Sequence, residues 1–195
     1  MTVSKKLFLI TEFHSSSQNS TGYLIEKLNK ALLDQKDFKT VLLTKKDETI
    51  ITQPNAIYVQ QSDYNKNRLI SRIWHELSLN SKFLIKSIQN ISKDDLVITG
   101  TNPTFLLFII FLLKKYIKFD WILLVHDVFP ENLVASKTLS KDSLAYNFLK
   151  VAFDKIYASP NRVITIGKDM LLLKKKKKKR NDAEVVPNWI DVKDI

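Results

Sequence analysis

Along this chain, short apolar runs alternate with longer stretches whose apolar residues return every three or four positions. The first pattern suits strands and the second suits helices. Lys6–Thr11, Lys39–Thr44, Ala56–Val59 and Leu96–Thr99 predict four strands. Trp121–Val125 is continuously apolar, as expected of a central strand covered on both faces of a parallel sheet. Arg162–Ile166 and Glu184–Val186 bring the total to about seven. Between the first two strands, Leu24, Ile25, Leu28 and Leu32 mark a helix, with Ser20 or Thr21 as its N-cap. Residues 66–91 read as two helices, the first carrying the stripe Leu69, Ile70, Ile73, Trp74 and Leu77. Phe105–Tyr116 is a helix that is apolar all round in its first turns, with Asn102 as N-cap and Pro103 at the first helical position. Asp142–Ala158 is another. Strands that alternate with helices predict an α/β fold: a single Rossmann-like domain on a mostly parallel, doubly wound sheet of about seven strands.

In such a sheet, ligands bind outside the carboxyl ends of the strands. Four polar clusters fall there: Phe13–Gly22, Gly100–Asn102, His126–Asp127 and Gly167–Asp169. Far apart in sequence, they are expected to converge on one rim. His126 and Asp127 stop the central run abruptly, and Pro130 then forbids further strand. An isolated His-Asp pair can simply cap a strand, but the convergence favours a site. The first loop, HSSSQNSTG, lacks G-x-G-x-x-G, so no dinucleotide fingerprint is present. Backbone amides at Ser20, Thr21 and Gly22 could still receive an anion at the helix start. The pair offers too few ligands for a metal site.

Charge changes this picture only locally. The net charge is +11, but Lys174–Arg180 supplies seven of those charges in one block. No nucleic-acid motif accompanies it, so no nucleic-acid partner is expected. The block suits a solvated surface, or attraction to an anionic membrane leaflet. Phe105, Phe108, Lys114 and Lys115 on one helix, and Arg68 and Arg72 on another, are candidate membrane contacts. The apolar helix is too short to span a bilayer, and extending it would carry Lys118 and Asp120 into the hydrocarbon. It is therefore either buried or dips into a membrane surface. Cysteine is absent, which removes disulfides and thiolate zinc sites. The N-terminal apolar run reaches Glu12 too soon for a signal peptide.

Four motifs occur in a familiar order: TGTNPTF (99–105), VHDVFPENLVASK (125–137), VITIGKDM (163–170) and VVPNWID (185–191). Together they resemble the N-terminal half of family-four, GT-B-fold glycosyltransferases, especially those that build bacterial surface polysaccharides. The resemblance runs from about Leu7 to Asp191. It implies an acceptor-side domain over residues 1–186 and, over residues 187–195, the start of a linker to a donor-binding domain not contained in this chain. It further implies sugar transfer from a nucleotide-sugar donor to a lipid-linked saccharide acceptor, with retained anomeric configuration, no metal and no other cofactor. His126 would contact the donor sugar near the reacting centre, and Asp127 would orient it or the acceptor hydroxyl. Ser20, Thr21, Gly22, Thr101, Asn102, Gly167, Lys168 and Asn188 are the expected substrate-binding positions. Many relatives carry a glycine pair in the first loop, whereas this chain has only Gly22. The implied location is cytoplasmic, peripheral at the inner face of the plasma membrane. A non-catalytic membrane-surface module is the competing expectation.

Overall fold

The computed structural model describes residues 5–61, 69–168, 170 and 183–188. Seven strands form one sheet among these residues: β1 (Lys6–Thr11), β2 (Lys39–Lys45), β3 (Ala56–Val59), β4 (Leu96–Thr99), β5 (Asp120–Val125), β6 (Arg162–Thr165) and β7 (Ala183–Val185). Their spatial order is β3-β2-β1-β4-β5-β6-β7 and every pairing is parallel. The chain leaves β1 toward one edge and returns at β4 to build the other. The topological switch point therefore lies between β1 and β4, where Ile10 pairs with Thr99.

Among the described residues five helices accompany the strands: α1 (Ser20–Leu33), α2 (Leu69–Asn90), α3 (Thr104–Ile117), α4 (Glu131–Ala135) and α5 (Leu144–Tyr157). Successive strand residues point to opposite faces, and β1 shows the consequence. Phe8 and Ile10 join the larger core under α2, α3 and α5, with Phe83, Leu107, Ile110 and Phe153. Leu7 and Leu9 join the smaller core under α1, with Ile25 and Leu42. Trp121 sits fully buried in the larger one, its indole Nε1 donating to Thr99 Oγ1 at 2.9 Å.

Local differences from the sequence reading have physical causes. Residues 69–90 form one helix, not two. The stretch has no Pro or Gly to break it. Its polar residues fold back on the helix instead: Asn80 Nδ2 donates to the Glu76 carbonyl and Ser81 Oγ to the Leu77 carbonyl, both at 2.8 Å. The α1 cap is Asn19, whose Oδ1 accepts from Gly22 N at 2.8 Å, so Ser20 and Thr21 lie inside the first turn. At α3 the cap position is Pro103, without a side-chain cap bond, so Asn102 does not serve as N-cap. α5 starts at Leu144, where Ser143 Oγ accepts from Tyr146 N.

Candidate functional site

A parallel sheet puts every strand's carboxyl end on one edge, so the polar clusters after β1, β4, β5 and β6 stand side by side in that order. The tightest convergence is between the turns after β4 and β5. Thr101 is buried, and its Oγ1 accepts from both His126 N (3.3 Å) and Asp127 N (3.1 Å). One hydroxyl thus fixes the backbone of two consecutive rim residues. The His126 ring lies against Gly100: a Cβ built on that glycine would stand 4.0 Å from His126 Nδ1.

Further support comes from below. Tyr157 OH accepts from Phe129 N at 3.0 Å and donates to the Asp127 carbonyl at 3.4 Å, clamping residues 127–129 onto α5. Burial pushes its phenol well above the ordinary value, so it stays protonated and keeps both roles. Asp127 itself is exposed, with Oδ1 accepting from Asn132 Nδ2 at 3.2 Å. His126 is partly buried. Desolvation lowers its pKa below the usual 6.5, against a smaller opposite push from Asp127. At neutral pH the ring is therefore uncharged, with one N–H donor and one bare nitrogen acceptor.

The loop after β1 closes over its own helix. Gly22 is buried at the start of α1, and a Cβ there would lie 2.1 Å from the Ser15 carbonyl oxygen. The small residue thus admits this chain's own backbone. Gly22→Ala is expected to destabilise the domain by ~1–3 kcal/mol, the ordinary scale of overpacking. A urea midpoint equal to the parent's would show that the loop moves aside freely. The same loop places His14, buried, with Nδ1 3.1 Å from Thr44 Oγ1 and its ring edge-on to Tyr58. Glu12 follows β1 directly, 3.7 Å from Lys45 Nζ. Burial, the larger effect, holds its carboxyl above the usual range, and Glu76 adds to it while Lys45 opposes.

The other expected site residues fall as follows. Asn102 is exposed beside Thr101. Gly167 is partly buried, its carbonyl accepting from Thr165 Oγ1 at 3.2 Å, and Lys168 is exposed. Asn188 is exposed beyond β7. Phe105 is exposed on α3, whereas Phe108 is partly buried against Phe153, with centroids 5.2 Å apart. Lys114 donates to Asn161 Oδ1, and Lys115 lies over the Phe111 ring at 4.9 Å. Arg68 and the Lys174–Arg180 block lie outside the described residues, as does the Arg72 side chain. Tyr157 escaped the sequence reading because its apolar neighbours Phe153 and Ile156 gave it the look of a core position. No sequence pattern announces a hydroxyl aimed at a turn 28 residues upstream.

Over 97% of its length the chain is 36% identical to a protein of Pseudomonas aeruginosa named as the probable glycosyltransferase WbjE. It spans about half of that relative, 49% of its length. No protein-family model matches the chain.

Proposed function

We propose that this chain is the acceptor-side half of a family-four, GT-B-type glycosyltransferase, which moves a sugar from a nucleotide-sugar donor to a lipid-linked saccharide in polysaccharide synthesis. Similarity to the Pseudomonas aeruginosa protein across half of that relative's length supports this reading. So does the parallel sheet with its switch point between β1 and β4, the place where open α/β sheets bind ligands. The observation that carries it is the imidazole of His126, held on the rim by Thr101 beneath its backbone and Gly100 beside its ring.

In the proposed reaction an acceptor hydroxyl attacks the anomeric carbon. A carbon–oxygen bond forms on the face the leaving group departs from, the bond to the donor's diphosphate breaks, and the hydroxyl proton passes to the departing diphosphate oxygen. His126 supplies a fixed hydrogen-bonding group to the donor sugar, and Asp127 orients the acceptor. Fixed groups of this kind stabilise developing charge without reorganising in the transition state. A donor-binding domain continuing from Pro187 would hold the diphosphate. The test is transfer of labelled sugar from a nucleotide-sugar pool. The chain joined to such a domain is expected to transfer, and the 195-residue chain alone to be silent. Nucleotide-sugar turnover by neither would end the proposal.

A specific observation also favours attachment to a membrane surface. No described helix is long and apolar enough to cross a membrane. Yet α2, α3 and α5, which pack side by side, expose Trp74, Leu77, Ile88, Phe105, Leu112, Tyr116 and Phe148 on the outside of one layer. Large apolar side chains exposed along one layer suit an interaction face. Lys86, Lys115 and Lys155 on the same helices suit an anionic leaflet. The chain is expected to co-sediment with vesicles containing anionic lipid. Each large side chain buried there contributes ~1.5–3 kcal/mol, so Trp74→Ser with Phe148→Ser should weaken binding by at least about a hundredfold. Unchanged partitioning of that variant would remove this face from the membrane.

A further inference from the structure

The rim holds a second feature, beyond β1 on the side away from His126. The carboxyl ends of β2 and the edge strand β3, with one side chain from α2, enclose a cavity of about 680 Å³. Lys45, Lys46, Thr49, Gln60, Gln61 and Lys82 line it together with Asp47 and Glu48, so every lining side chain among the described residues is polar.

The cavity's charges are not equivalent. Asp47 is engaged by its own loop, accepting from Thr49 N (3.0 Å), Thr49 Oγ1 (2.6 Å) and Gln18 Nε2 (3.1 Å). Glu48 pairs with Lys46 at 2.9 Å. Lys82 differs from both. Its ammonium donates to two neutral oxygens, the Gln60 carbonyl at 2.8 Å and Gln61 Oε1 at 3.0 Å, and no carboxylate among the described residues pairs with it. Lys45 leans on Glu12 only loosely, at 3.7 Å. Among the described lining residues three lysines face two carboxylates, an excess of one positive charge set among amide and hydroxyl groups that suit sugar hydroxyls. An ammonium paired with an anionic oxygen makes the stronger class of hydrogen bond.

We propose that this cavity binds an acidic sugar, a saccharide ring bearing a carboxylate or phosphate, with Lys82 as the group that meets its charge. Calling that sugar part of the acceptor rests on the sugar-transfer reading above. β2 and β5 are three strand spacings apart, ~14 Å, so one acceptor reaching both the cavity and His126 contains more than one saccharide ring. The acidic residue would then lie away from the hydroxyl that reacts, and the cavity would select acceptors by their charge.

The test is binding, read by amide chemical shifts of the 195-residue chain titrated separately with glucuronate, glucose 6-phosphate, glucose and inorganic phosphate. Both acidic sugars are expected to move the amides of Lys45–Thr49, Gln60 and Gln61. Glucose and inorganic phosphate should bind at least tenfold more weakly. The tighter of the two acidic sugars identifies the anionic group. Lys82→Gln should weaken the acidic sugars about tenfold and leave the remaining spectrum in place, while Lys82→Arg should retain them. Equal response to glucose, phosphate alone binding as well as the sugar phosphate, or unchanged affinity in Lys82→Gln would each overturn the proposal. The titration measures no transfer, so the two readings fail separately: transfer by the joined chain without this binding sinks the cavity, and this binding beside a joined chain that does not transfer sinks the enzyme.

Discussion

His126→Ala, made in the chain joined to its donor-binding half, is expected to lower sugar transfer by two orders of magnitude or more. That is the usual cost of removing one preorganised hydrogen-bonding group from a reacting centre. The fold should survive, because the side chain is partly solvent-exposed and its role in the turn belongs to the backbone. It is the His126 N–H that bonds Thr101 Oγ1, and alanine keeps that N–H. Circular dichroism and the urea midpoint should therefore match the parent while transfer collapses. Thr101→Val, nearly the same shape but without the acceptor oxygen, should act in the complementary way. It leaves the N–H groups of His126 and Asp127 without their partner, which costs ~1–3 kcal/mol of stability and lets the imidazole shift. Transfer within threefold of the parent in His126→Ala would remove the residue from the chemistry.

The acidity of the same ring fixes a sign. Burial lowers the folded-state pKa of His126 below the unfolded value near 6.5. The unfolded chain thus takes up the proton first, and the contribution of this residue to stability is full above the unfolded pKa and diminishes as pH falls through the window beneath it.

How much of this was legible beforehand differs between the fold and the site. The sheet was legible because its signal is local. Trp121–Val125 is apolar on both faces, and only a central parallel strand needs that. With strands and helices in alternation, the common rim follows from topology without any side-chain knowledge. Boundaries set by competing local bonds were not legible. Asn19, Ser20 and Thr21 are all good caps, and the choice fell to Asn19 because its side-chain Oδ1 reaches Gly22 N while Ser15 crowds the glycine. The unity of α2 was hidden for a related reason. Beyond the apolar stripe that ends at Leu77, Asn80 and Ser81 return their hydrogen bonds to the helix that carries them. Within the site, the His-Asp pair was visible as two ionisable residues ending an apolar run. The groups that hold the pair were less so. Tyr157 acts through a contact fixed only once α5 lies across the sheet. Lys82 lies on a helix whose apolar stripe dominated the reading, and its partners come from beyond β3.

Trp121 is where core and site meet, and Trp121→Ala is expected to leave little folded protein at 37 °C. The indole is fully buried in the larger core, against the layer formed by α2, α3 and α5. Truncating a buried aromatic of this size costs ~3–5 kcal/mol, a large share of the ~5–15 kcal/mol that holds a domain of this kind together. The loss would also be felt at the rim. Trp121 Nε1 holds Thr99 Oγ1, and Thr99 is the last residue of β4, immediately before the Gly100–Thr101 turn that seats His126 and Asp127. Trp121→Phe separates the two contributions. It keeps most of the apolar contact but leaves the buried Thr99 hydroxyl without its donor, so a cost of ~1–3 kcal/mol is expected. Combining it with Thr99→Val, which removes the orphaned hydroxyl, should recover part of that cost. Urea midpoints of the three variants measure this, and equal midpoints for Trp121→Phe with and without Thr99→Val would show that the indole stabilises the sheet by packing alone.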